Sequence, residues 1–84
     1  MADVIVVGET TEIEKWQLLS LVQVGDIVTV YYPDSKTNGR TCCPRKGEVT
    51  KVGDDRLDVE TSRGPRTLLE GRIKGTVKIL RPLS

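Results

Sequence analysis

Histidine and phenylalanine are missing from this 84-residue chain, tryptophan occurs once, and tyrosine and cysteine occur twice each. Without histidine the chain lacks the one side chain whose ordinary pKa lies near neutral pH. No serine or cysteine stands in a nucleophile motif, and the carboxylates are scattered along strand faces and turns where water solvates them. No phosphate-binding glycine motif is present, and the Gly71 to Gly75 spacing means nothing outside an apolar helix. The expectation is a non-catalytic protein without a cofactor. The absence of phenylalanine leaves the core to valine, isoleucine and leucine. A chain this short buries only about 60–65% of its unfolded surface, and one such core supplies a margin of roughly 3–5 kcal/mol. Cys42 and Cys43 are adjacent, so a bridge between them would close a strained ring. With no second cysteine pair and no histidine they are not a metal motif. They read as reduced thiols in a loop or at a strand start; the alternative is an intermolecular bridge or a redox sensor. No apolar run approaches the ~18 residues of a membrane span. Met1-Ala2-Asp3 offers no basic region of a secretory signal, so a cytoplasmic protein without membrane attachment is expected.

The net charge of +1 conceals an asymmetry. Residues 1–34 carry six carboxylates against Lys15 alone, a net of −5, and residues 35–84 carry twelve cations against six carboxylates, a net of +6. Such a distribution points to an electrostatic partner or to pairing between the halves.

Most of the chain alternates like strands. The clearest is Val24-Gly25-Asp26-Ile27-Val28-Thr29-Val30-Tyr31-Tyr32, a β-branched run behind a Gly-Asp turn. Val28, Val30 and Tyr32 share one face; Ile27, Thr29 and Tyr31 share the other. Residues 33–40 form a loop, in which Asn38-Gly39 signals a tight turn. Pro44 restricts Cys42 and Cys43 to an edge or a connection. Residues 47–52 and 56–62 read as a hairpin about Gly53-Asp54-Asp55, with Leu57 and Val59 inward. Arg63-Gly64-Pro65 turns the chain, Thr67-Leu68-Leu69 is a short strand, Glu70-Gly71-Arg72 is a turn with helical character, and residues 75–80 form the last strand with Val77 and Ile79 on one face. Ahead of these, residues 4–7 suggest an edge strand. Thr11 and Glu14 stand at capping-box spacing, and Ile13, Trp16 and Leu19 follow a helical period. A helix over residues 12–22 is expected, with Trp16 in its buried stripe rather than exposed for stacking.

Gly25-Asp26-Ile27-Val28-Thr29-Val30, followed after a polar loop by Lys46-Gly47-Glu48-Val49-Thr50-Lys51-Val52, resembles the opening of SH3-like small β-barrels, nearest to the KOW type of ribosomal proteins and transcription elongation factors. The length allows a single domain, residues 1–84, and four or five short strands at this spacing suggest a mainly β fold, a small barrel or sandwich; the resemblance makes it an SH3-like barrel over residues 24–82, and the residues ahead of it read as an extension (residues 1–23) with a short helix. The long loop with Cys-Cys-Pro and the N-terminal extension depart from that pattern.

Two functions follow as expectations. The first is nucleic-acid binding through a basic rim made where loops converge at one end of the barrel. Lys36, Arg40, Arg45, Lys46, Arg63, Arg66, Arg72 and Lys74 are its phosphate-contacting candidates, and Tyr31 or Tyr32 its stacking residue. DNA and RNA are equally compatible with such contacts. The alternative is a protein-interaction module, homodimeric or bound to another protein. Against the rim stands the possibility that these cations simply pair with Asp54, Asp55, Asp58, Glu60 and Glu70.

Overall fold

The computed structural model describes residues 5–33 and 42–83. Six antiparallel strands form one sheet in the order β1-β6-β2-β3-β4-β5. They are β1 (Thr10–Glu14), β2 (Ile27–Pro33), β3 (Cys42–Val52), β4 (Arg56–Thr61), β5 (Gly64–Leu69) and β6 (Lys74–Leu80). Among the described residues, helical structure is confined to a 3-10 turn at Lys15–Gln17, a single α-helical turn α1 (Leu18–Leu21), and a 3-10 turn at Glu70–Arg72. Among the described residues no backbone pairing joins the outer strands β1 and β5, so the ladder is open.

The alternation expected from the sequence sets the inward face. Val28, Val30, Val49, Leu57, Ile73, Val77 and Ile79 are fully buried, and Val59 nearly so. Among the described residues the buried core is aliphatic, with Tyr32 packed partly against it, and the N-terminal segment belongs to it through Ile5, Ile13, Leu18 and Val22. Gly47 lies within this face, where an added Cβ would sit 3.0 Å from the Glu60 carbonyl oxygen and 3.0 Å from Val59 Cβ. The missing side chain lets β4 approach β3 there. Pro44 lies opposite Tyr31 of β2, while the β3–β4 ladder begins only at Glu48 opposite Glu60. The first part of β3 therefore has one strand neighbour, and a residue without an N–H is tolerated there.

The N-terminal region corrects the sequence reading. Residues 12–22 are not one helix. Thr10–Glu14 is a strand paired with β6 from Thr10 opposite Leu80 to Glu14 opposite Thr76. Its true period is two: Thr11 and Ile13 are buried and Glu12 is exposed. The Thr11 hydroxyl accepts the Val6 amide at 3.2 Å, which lets a polar residue occupy an inward position. The end amide is satisfied one turn later than expected, where Gln17 Oε1 accepts the Glu14 N–H at 3.2 Å. Trp16 is 66% exposed and lies outside the core; Leu18 takes the buried position. Within residues 5–7 the only ladder contact is an isolated bridge from Val7 to Arg81, not an edge strand. The strand expected at Thr67-Leu68-Leu69 starts earlier, at Gly64, because Thr61 and Gly64 already face each other across the β4–β5 turn.

One ion pair locks the end of β6 to the start of β2. Arg81 Nε and an Arg81 terminal nitrogen donate to the two carboxylate oxygens of Asp26, both at 2.9 Å. The same nitrogen donates to the Leu21 carbonyl at 3.1 Å, and Asp26 Oδ2 also accepts the Gln23 amide at 2.8 Å. Burial by itself pushes the Asp26 carboxyl up; its hydrogen bonds from Arg81 and Gln23, together with the Arg81 charge, outweigh that and hold it below the usual carboxylate range.

Two outcomes test this architecture. Ile13→Ala should lower stability by about 2–5 kcal/mol, read as a reduced urea midpoint with unchanged denaturant slope; a change below about 0.5 kcal/mol would mean that β1 is not part of the core. Because the folded-state pKa of Asp26 is depressed, its contribution is complete above the unfolded value of about 4 and disappears as pH falls through the folded value. Asp26→Asn, which leaves Arg81 unpaired, should cost about 3 kcal/mol at pH 7, and its difference from the parent chain in urea unfolding should shrink below about pH 4.

Candidate nucleic-acid interface

The antiparallel register decides which sequence-distant residues meet. At one end of the ladder lie the C-terminal ends of β1, β2 and β4 and the N-terminal ends of β3, β5 and β6. Arg45 and Lys46 sit in this part of β3, opposite Val30 and Thr29. Thr29 in turn faces Lys78, which faces Glu12, so Glu12, Lys78, Thr29 and Lys46 form one cross-strand row. Arg63 occupies the β4–β5 turn beside them. That turn is held by Thr61, whose hydroxyl donates to the Gly64 carbonyl at 2.8 Å and accepts the Arg63 amide at 3.1 Å. Gly64, at φ 105°, supplies the left-handed conformation that this tight connection requires.

A second group lies across β2. Lys74 faces Tyr31, following an irregularity in which residues 74–78 of β6 span only Thr29 to Tyr31 of β2. Gly75, at φ 73°, lies within it. Ile73 is fully buried, whereas Lys74 points to solvent. Arg72 stands 5.9 Å from the centroid of the Tyr32 ring, at the outer limit of a cation–π contact. The Lys15 ammonium donates to the Ile73 carbonyl at 3.3 Å, holding the turn that bears Trp16 against the start of β6.

Of the sequence candidates, Arg45, Lys46, Arg63, Arg72 and Lys74 are therefore arrayed along one end of the sheet, with Arg66 one strand further out on β5, opposite Val59. They make an arc, not a single cluster. Lys36 and Arg40 lie outside the described residues, as does Asn38-Gly39. Lys46, Arg63, Arg66, Arg72 and Lys74 are exposed and Arg45 is half-buried. Among the described residues the ion pairs are Arg56–Asp55 and Arg81–Asp26, so the acidic residues expected to neutralise the arc do not engage it. Asp54 and Asp55 sit on the β3–β4 turn at the other end of those strands, where the Asp55 carbonyl accepts the Glu70 amide at 3.1 Å and so adjoins the turn that carries Arg72. Asp58 instead accepts the Thr67 hydroxyl at 2.8 Å.

The aromatic assignment changes. Of the two stacking candidates, Tyr32 is half-buried, its hydroxyl accepts the Leu69 amide at 3.1 Å, and Arg72 lies over its ring. It holds the end of β5 near the end of β2. Tyr31, which alternation turns outward, is 50% exposed, and Trp16 joins it at the surface. The sequence signal around Trp16 is present but misleading, because Ile13-x-x-Trp16-x-x-Leu19 mimics a helix face across a strand-to-turn boundary.

Tyr32→Phe should lower stability by about 1–3 kcal/mol, since the Leu69 amide loses its acceptor. Tyr31→Phe should change it by less than about 0.5 kcal/mol. Equal effects in thermal or urea unfolding would refute the division of roles. In comparisons with protein-family models, curated proteins and solved structures, nothing matches this chain.

Proposed function

We propose that the protein is a non-catalytic nucleic-acid-binding module in which the basic end of a small SH3-like β-barrel contacts phosphates. The observation that supports this reading is the antiparallel register, which sets Arg45 and Lys46 of β3 and Lys74 of β6 toward one end of the ladder, with Arg63 in the adjoining β4–β5 turn and Arg72 in the turn just ahead of β6. Phosphate recognition asks for several solvated cations free of competing carboxylates, and it confers affinity for any sequence. The barrel reading draws support from four features. β2 to β5 form an up-and-down meander, a 3-10 turn precedes β6, and β6 returns to the free side of β2. The Tyr32–Leu69 hydrogen bond brings the ends of β2 and β5 together, as curling of the sheet requires.

A second reading, a protein-interaction module, has its own support at the opposite end. There Val7, Val24 and Leu83 are at least half exposed around an open cleft of about 350 Å³ beside the Asp26–Arg81 pair.

The nucleic-acid reading is tested by fluorescence anisotropy with DNA and RNA between about 50 and 200 mM salt. Affinity should fall steeply over that range. Lys46→Glu with Lys74→Glu should weaken binding to all sequences alike and reduce the log–log salt slope by about 1 for each phosphate no longer neutralised. No binding at the lowest salt, or an effect confined to one sequence, would count against the phosphate-binding role.

A further inference from the structure

The three aromatic residues are distributed unusually for so small a protein. Among the described residues the buried core is isoleucine, leucine and valine, with Tyr32 packed partly against it, yet Trp16 is 66% and Tyr31 50% exposed. Large rings left in water forgo the burial that a marginal core most needs. Both stand beside β6 at the basic end. Tyr31 faces Lys74 from β2. On the other side, β1 ends at Glu14 opposite Thr76, and the turn that follows carries Trp16 and is held to Ile73 by Lys15. β2, which bears Tyr31, and β1, whose following turn bears Trp16, thus flank β6 at two strand spacings, about 10 Å, and Lys74 belongs to the strand between them.

We propose that this end receives an unpaired stretch of nucleic acid, with bases stacking on Trp16 and Tyr31 while Lys74 and the neighbouring cations hold the backbone. The inference rests on the nucleic-acid reading above and narrows it to single strands. In a duplex the base faces are hidden in the stack and only their edges reach the grooves. Exposed rings beside cations suit bases that are free to unstack. Stacking also tolerates any base, in keeping with cations that read no sequence.

Trp16 is the single tryptophan of the chain, so its emission reports directly on the site. The intact protein is titrated with oligo-dT and oligo-rU of about 12 nucleotides, and with a blunt duplex carrying the same number of phosphates. Affinity is followed by anisotropy and stacking by tryptophan quenching. Single strands should bind at least about ten-fold more tightly than the duplex and quench Trp16. Tyr31→Ala should weaken single-strand binding about ten-fold, leave duplex affinity unchanged and leave thermal unfolding unchanged. Trp16→Ala should do the same, with Trp16→Phe restoring part of the affinity. A preference for dT or for rU separates DNA from RNA, and either supports the site. Equal affinity for single strands and duplex without quenching would overturn the stacking site while leaving the phosphate-binding end intact. Equal weakening of both ligands by Trp16→Ala would overturn it in the same way. No binding to any oligonucleotide at low salt would bring down the nucleic-acid reading along with it.

Discussion

The bidentate pair between Asp26 and Arg81 is the constraint on which the arrangement depends. It joins residues 55 positions apart and is the largely buried ion pair among the described residues, the Asp26 side chain being 3% exposed. Through it the last carbonyl of α1, the start of β2 and the end of β6 are fixed to one another. The Arg81 carbonyl in turn accepts the Gly8 amide at 2.7 Å, which brings the N-terminal segment along. Asp26 also reaches β3, its own carbonyl accepting the Val49 amide at 2.8 Å. A buried charge is tolerable only with its partners in place. The geometry that satisfies Asp26 is also the one that seats β6 between β1 and β2.

With β6 seated there, the two ends of the sheet acquire different characters. The end near Asp26 is tied by hydrogen bonds and the ion pair, and it shows apolar side chains around an open cleft. The other end is made of strand termini and turns. It is braced by the Thr61 hydroxyl, the Tyr32 hydroxyl and the Lys15 ammonium, and it carries cations without carboxylate partners among the described residues. The asymmetry of charge between the halves of the chain is thereby handled in two ways. Asp26 and Arg81 settle one charge of each half against the other, Arg56 pairs with Asp55 within the basic half, and Lys46, Arg63, Arg66, Arg72 and Lys74 stay exposed to solvent. Solvated cations at rigid turns are poor sources of stability but ready phosphate contacts.

Much of the sheet is legible in local pattern. Val28 and Val30, Leu57 and Val59, and Val77 and Ile79 each stand at period two about a polar residue (Thr29, Asp58 and Lys78), and each pair is buried. The Gly-Asp-Asp turn and the helical character of Glu70–Arg72 follow from the same local chemistry. The N-terminal region misleads because Thr11, a polar residue, takes an inward position that only its hydrogen bond to Val6 makes acceptable. With Thr11 discounted, the apolar residues that remain fall at helical spacing. The two tyrosines show the same limit. Alternation places them on opposite faces, but only the Leu69 amide identifies Tyr32 as a brace and leaves Tyr31 outward.

What the sequence by itself determined is the material: an aliphatic core without phenylalanine, strands in the later two-thirds of the chain, and cations concentrated after residue 34. What only the tertiary structure decided is who meets whom. Glu14 opposite Thr76, Tyr31 opposite Lys74 and Asp26 with Arg81 join residues far apart in the chain. Periodicity arises from neighbours a few bonds away and is written locally. Pairing across a sheet is a choice among many remote partners, made by which register buries the apolar face and leaves no interior charge alone.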